Sequence, residues 1–248
     1  MGPILETVNL TKSFGMVRAV EDVTITVEEG EVVGIVGPNG SGKTTFLNVV
    51  TGYLKPERGR VRYNGQDITG LSPRAVADLG VARSFQIPQL YLSLTVLENV
   101  LLALAIRQGK GATFWAPLHN KERVEEALRL LAQFGLEKYA HHWASQLSEG
   151  SRKLLDVALS FARQPHLLFM DEPTSGVSVK DKFAIMDTLV PVLMRSKVTT
   201  IFVEHDMDVV QRYAQRVLVF HEGKVISDGR PEAFLLDPSI RRTLLGRE

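Results

Sequence analysis

Gly37-Pro-Asn-Gly-Ser-Gly-Lys-Thr44 decides the architecture. It follows a short apolar segment, Val32-Val-Gly-Ile-Val36, which reads as a buried strand, and it opens a helix expected to run to about Gly52. Strand, glycine-rich turn and helix in that order are the context that the pattern Gly-x4-Gly-Lys-Thr requires. Glycines let the backbone turn its N–H groups inward as an anion nest, with no side chain in the way. The positive end of the following helix adds to the same field. In such a loop Lys43 bridges the β- and γ-phosphates of a nucleoside triphosphate and the Thr44 hydroxyl ligates Mg2+. The loop alone leaves a triphosphatase and a small-molecule kinase both open.

A second cluster lies downstream. Leu167-Leu-Phe-Met-Asp171-Glu172-Pro173 sets two carboxylates at the end of an apolar run. The carboxyl ends of strands in a parallel α/β sheet face the ligand crevice. Asp171 is therefore placed to hold Mg2+ directly or through water. Glu172, one residue on, points elsewhere and is placed to polarise an attacking water as general base. His205 follows another apolar strand, Thr200-Ile-Phe-Val203, with Glu204 between. A polar side chain there suits a contact to the γ-phosphate or to the catalytic carboxylate. Gln86 stands where the α/β part meets a helical part, and its long amide reaches Mg2+ or the lytic water.

Around these clusters the pattern alternates. Val23–Val27, Val32–Val36 and Val61–Tyr63 read as strands, the last running into the turn Asn64-Gly65. Ser72-Pro73 is an N-cap followed by Pro at the first helical position, with a helix to about Asp78. From Thr95 to about Arg163 the spacing is helical, with Leu97, Leu101 and Leu104, then Val124, Ala127, Leu128 and Leu131, on one face. A polar patch, Gln108–Thr113, interrupts it and reads as a mobile loop. The last third returns to strands and helices: Leu167–Met170, a helix from Lys180 to Met194, Val198–Val203, a hairpin turning at His221–Lys224, and two short helices. Alternation on both sides of a helical insert implies an α/β core.

Composition narrows the function. The chain has 248 residues, 44% of them hydrophobic and 23% charged, with a net charge of +1. That balance argues against a nucleic-acid partner, which calls for a basic excess. There are no cysteines, which excludes disulfides, thiolate metal sites and cysteine nucleophiles. Met1–Glu6 lacks the layout of a signal peptide, and the longest apolar run, Val100–Ile106, is far short of the roughly 20 residues needed to span a bilayer. A membrane role is expected only through a partner.

Taken together the landmarks resemble the ABC ATPase family over essentially the whole chain. Phe14 is similar to the aromatic that stacks on adenine. Gly37, Pro38, Asn39, Gly40, Ser41, Gly42, Lys43, Thr44 and Thr45 match the Walker A loop, and Gln86 the Q-loop. Leu147-Ser-Glu-Gly-Ser151 looks like the signature, whose Ser148 and Gly150 face the γ-phosphate of a partner subunit's ATP. Asp171 and Glu172 match the Walker B pair, Ser175–Ser178 the D-loop, and His205 the switch histidine. Val81–Gln86 and Leu94–Val100 resemble the branched-chain amino-acid importers, with lipopolysaccharide-export ATPases a near neighbour.

The resemblance implies a P-loop NTPase (RecA-like) core with an antiparallel β subdomain and an inserted helical subdomain. It implies one nucleotide-binding domain over 1–248, with core 1–86 and 165–248 and helical part 87–164. It also implies ATP and Mg2+, catalysis by Glu172, His205 and Lys43, and metal contacts from Thr44, Gln86 and Asp171. The partners implied are a second ATPase subunit, identical or paralogous, transmembrane permease subunits and a substrate-binding protein, with the chain on the cytoplasmic face of the membrane. Three positions depart from the family: Glu149 for Gly, Ser151 for Gln, and Ser178 for Asp or Asn. A carboxylate beside a triphosphate repels it, and the dipole of the following helix offsets part of that. A soluble, non-transport ABC protein is the rival reading. Such proteins usually carry two cassettes or a long coiled coil, and neither is present.

Overall fold

The structure, a computed structural model, describes residues 2–107, 120–236 and 240. In chain order the strands are β1 (Leu5–Phe14), β2 (Val17–Val27), β3 (Val32–Val36), β4 (Arg58–Tyr63), β5 (Gln66–Asp67), β6 (Val81–Ser84), β7 (Leu167–Asp171), β8 (Thr199–Val203), β9 (Arg216–His221) and β10 (Lys224–Gly229). The helices are α1 (Lys43–Val50), α2 (Pro73–Asp78), α3 (Val96–Arg107), α4 (Lys121–Gln133), α5 (Glu149–Phe161), α6 (Val179–Arg195), α7 (Met207–Tyr213) and α8 (Pro231–Leu236).

Two sheets result. A small antiparallel one has the order β2-β1-β4-β5, and a six-stranded one runs β10-β9-β3-β8-β7-β6. In the larger sheet every pairing is parallel except the β9–β10 hairpin. Its central strands read as unbroken apolar runs because both faces are covered, and side chains alternate between them. Val33, Ile35, Leu167, Phe169, Ile201, Val203, Leu218 and Phe220 point into one cluster, shared with Phe46, Leu47 and Val50 of α1 and with Leu5, Val23 and Val61 of the small sheet. Val32, Val36, Leu168, Met170, Phe202, Val217 and Val219 point into the other, filled by Leu101, Leu131, Leu155, Leu189 and Val209 from α3 to α7.

Local signals explain the helix starts. Ser72 accepts from the Ala75 amide with Pro73 at the first position, and Asn120, Ser148, Ser178 and Asp206 cap α4, α5, α6 and α7 in the same manner. The expected helical stretch from Thr95 to Arg163 is broken into α3, α4, two 3-10 turns and α5. Leu128 was expected on the buried face of α4 but is 37% exposed, and Leu130 is buried in its place. At 100° per residue Ala127, Leu130 and Leu131 centre the stripe, which leaves Leu128 at its edge. Two strands, β1 and β6, and helix α7 lie where no element was expected. The expected loop at Gln108–Thr113 and the last of the two short C-terminal helices lie outside the described residues, apart from Ile240.

Candidate active site

β3 ends at Val36 and delivers the loop 37–42 to the carboxyl edge of the sheet. Two glycines there are irreplaceable. Gly37 has φ +152 and Gly42 φ +105, and a Cβ on either would lie 2.2 Å from the Phe220 carbonyl oxygen or 2.0 Å from that of Ala19. The loop therefore sits directly on β9 and β2. α1 starts at Lys43 with Gly42 as its N-cap, no side-chain cap and no acidic residue in its first turn. Its leading amides and dipole face outward for an anion. Lys43 is 5% exposed and its Nζ donates to Gly37 O (2.7 Å) and Pro38 O (2.9 Å), arching over the loop. Burial pushes the ammonium pKa down, and Glu172 and Asp171 push it back.

Glu172 follows β7 with φ +50, a left-handed conformation uncommon for a residue with a side chain. That twist separates the two carboxylates. The Glu172 side chain turns to the cleft, where Gln86 Nε2 donates to Oε2 (2.7 Å) and His205 Nε2 meets Oε1 (2.6 Å). Its main chain is pinned: the Glu172 amide donates to Val203 O, Ser175 N donates to Glu172 O, and Lys153 Nζ does the same. Beside it, buried Glu204 accepts from the amide and hydroxyl of Thr174 (2.8 and 2.7 Å) and from the His205 amide (3.3 Å). Burial raises the Glu204 pKa against those hydrogen bonds. This bracket ties the loop after Glu172 to the end of β8 and so sets His205 opposite Glu172.

Asp171 stays behind, 4% exposed. Its Oδ2 accepts from Arg83 (2.8 Å), whose guanidinium also donates to Asn48 Oδ1 (2.6 Å) and Thr51 Oγ1 (3.3 Å) and lies 5.0 Å from the Phe85 ring. Asp171 Oδ1 is buried and has no hydrogen-bond partner. A buried carboxylate oxygen left open is the atom a hard cation takes. No group of three or more His, Cys, Asp or Glu with metal-binding geometry occurs among the described residues. The open Oδ1 of Asp171 suits Mg2+, which is held by one or two carboxylates together with phosphates and water.

Two hollows wrap the loop. One, of ≈ 470 Å³, is lined by Gly37, Pro38, Asn39, Gln86, Glu172 and His205. The other, of ≈ 280 Å³, is lined by Gly40 through Thr45 with Ala19, and shares Asn39, Glu172 and His205 with the first. Thr44 and Thr45 open onto the second, and Phe14 is a half-exposed ring at the β1–β2 turn, with Lys12 Nζ 5.6 Å from its centroid. Gln86 lies on Glu172 rather than on Asp171. Ser148 and Gly150 do not join this site. They line a third hollow of ≈ 490 Å³ with Glu149, Ser151, Ser178 and Asp181.

Sequence reasoning passed over Arg83, Lys153 and the Thr174–Glu204 pair. The available signal was polarity out of place: Arg83 interrupts an otherwise buried strand, and Lys153 lies on the inner face of α5.

A parallel sheet with a phosphate loop after β3, an acidic pair at the end of β7 and one strand, β8, between them defines a P-loop nucleoside triphosphatase. Comparison with known proteins narrows this class. Residues 20–175 match the family described as ABC transporter. The chain is 37% identical to the probable branched-chain amino acid transport ATP-binding protein LivG of Archaeoglobus fulgidus, across 99% of this chain and 96% of the relative. The ADP conformation of MJ1267, an ATP-binding cassette of an ABC transporter, superposes with a TM-score of 0.87 at 33% identity, covering 100% of both chains. The dimeric post-hydrolysis state of the cassette MJ0796 bound to ADP and Pi gives 0.78 at 28% identity, over 92% of this chain and 98% of that one. The chain belongs to the ABC transporter family, as an ATP-binding and ATP-hydrolysing subunit that powers transport.

Proposed function

We propose that this chain drives an importer of the branched-chain amino-acid type, with one composite ATP site on its own phosphate loop. The near full-length likeness to LivG supports the substrate class, and the hydrogen bonds from Gln86 and His205 to Glu172 carry the chemistry. Phosphates sit on the amides of 37–45, with Lys43 turning from its own loop carbonyls to the β- and γ-oxygens, and Phe14 stacks on the adenine. Glu172, aimed into the cleft and released from Asp171 by its left-handed twist, accepts the proton of the attacking water. His205 and Lys43 stabilise the charge that grows on the transferred phosphoryl group. Asp171 and Thr44, with Gln86 once it leaves Glu172, would hold Mg2+, which when bound would neutralise phosphate charge.

Ser148 and Gly150 serve the ATP of a second subunit, so two chains pair head to tail. Glu149 beside them weakens that second site relative to this one. The chain is read as one nucleotide-binding domain with 87–164 as its helical part, a division supported by the change of pattern at Gln86 and at Gln164, where φ is +54. No helix among the described residues is long and apolar enough to cross a membrane. Attachment to the cytoplasmic face therefore runs through permease subunits, which a substrate-binding protein feeds.

The test is Glu172→Gln in the assembled transporter. ATP binding is expected to persist while turnover falls at least 100-fold, the scale on which general acid–base groups act. Normal hydrolysis in that variant refutes the assignment.

A further inference from the structure

Lys153 is a buried ammonium that touches no part of the phosphate loop. It lies on the second turn of α5, 4% exposed, and its Nζ donates to Gln86 O (3.0 Å), Ser175 Oγ (3.0 Å) and Glu172 O (3.2 Å). Three acceptors exhaust the donors of an ammonium. They lie in two segments: the one carrying the amide that grips Glu172, and the turn of Glu172 and Ser175 that leads to α6. One turn further along α5, Asp156 accepts from the Phe85 amide (3.2 Å) and the Gln89 amide (2.8 Å). Residues 85–89 are thus held by α5 at three main-chain points on either side of the Gln86 side chain.

The start of the same helix, one turn before Lys153, is exposed. Ser148 caps it, a Cβ on Gly150 would lie 3.3 Å from Ile185 Cδ1, and both residues line the hollow shared with Ser178. The first two turns of α5 therefore join the surface offered to a second subunit to the carboxylate and amide of this chain's own site. Glu172 needs such a hold, because a left-handed conformation in a residue with a Cβ persists only where its surroundings over-determine it.

We propose that Lys153 is a positioning residue that couples the two ATP sites of the pair. By joining α5 to the main chain of Gln86 and Glu172, it makes their alignment depend on whether the partner's nucleotide is seated at Ser148 and Gly150. The inference rests on the reading of Glu172 as base and of Ser148 and Gly150 as the half-site for a second subunit.

Lys153→Met keeps the length of the stem and removes the donors. In the assembled transporter it is expected to change KM for ATP by less than about threefold while kcat falls about 100-fold, the penalty of a misplacement near 1 Å. A second readout separates coupling from local support. In a Glu172→Gln background, ATP should protect the amides of 85–89 and 172–175 from hydrogen exchange, and adding Lys153→Met should abolish that protection while leaving that of 40–46 intact. Unchanged kcat overturns the proposal, and so does a fall in kcat with protection retained at both segments. Should Lys153→Met fail to fold, Ser175→Ala removes one acceptor and keeps the charge. It is expected to lower kcat and ATP-induced protection in the same direction, and wild-type behaviour in both overturns the proposal. Active Glu172→Gln enzyme would instead sink the underlying reading, so the two failures are distinguishable.

Discussion

At the scale of single residues, the site is built from polar groups buried under constraint. Arg83 and Asp171 form an ion pair almost closed to solvent, and such a pair resists loss of one member far more than loss of both, because the survivor is left as an uncompensated charge. Arg83→Met is expected to cost roughly 3–5 kcal/mol of stability, read as a lower midpoint in urea unfolding with an unchanged slope. A cost near zero would show that Asp171 finds another partner. Gly42 makes a sharper demand. With φ +105 and a carbonyl oxygen 2.0 Å from where a Cβ would stand, Gly42→Ala must move either the loop or β2, and loss of ATP binding in a fluorescent-nucleotide titration is the expected result. The Gly-Lys-Thr pattern was legible in the sequence because backbone conformation there is a property of residue type. The need for Arg83 was not, because an arginine in a strand shows no partner until β6 is laid beside β7.

At the scale of elements, α5 does two jobs, one at its start and one on its inner face. Its start is a capped N-terminus on the surface, and its inner face carries Lys153 and Asp156 into the core. Burial raises the Asp156 pKa from 3.8 to about 6, against the lowering effect of the Gln89 and Phe85 amides and of Lys153. A folded pKa above the unfolded one means that the stability Asp156 contributes is complete below about 3.8 and is lost as pH rises through about 6. Asp156→Asn removes that dependence, although it also forfeits one of the two amide bonds. The gap between wild-type and variant unfolding free energies should therefore narrow by roughly 2–3 kcal/mol between pH 4 and pH 7, at 1.36 kcal/mol per pKa unit. Parallel pH profiles would contradict it. The strands and capped helices were readable because their signals are local: alternation, Asn64-Gly65, Ser72-Pro73. The breaks within 95–163 were not, since short 3-10 turns leave no periodic trace, and a stripe only a few residues wide does not separate Leu128 at its edge from Leu130 inside it.

At the scale of the whole molecule, the two groups of residues assigned to ATP lie on separate surfaces. Lys43, Glu172 and His205 share adjoining hollows, whereas Ser148 and Gly150 line another. On the proposed head-to-tail pairing one chain offers half of each site, and its ATPase activity should rise with protein concentration when the chain is assayed alone. Constant specific activity across a hundredfold dilution would contradict head-to-tail pairing. What the sequence by itself determined is the class of chemistry and its local parts: a phosphate loop between strand and helix, an acidic pair after a buried strand, a polar side chain after a third. These follow from residue type at short spacing, which the chain carries wherever it folds. Only the tertiary structure decided how the parts meet. Arg83 reaches Asp171 across 88 positions, Gln86 reaches Glu172 across 86, and Lys153 joins Gln86 and Glu172 from 67 and 19 positions away. Those contacts arise from the order β8-β7-β6 and from α5 packing beneath it, and a sheet order is a global solution for burying apolar faces, not a property of any short segment.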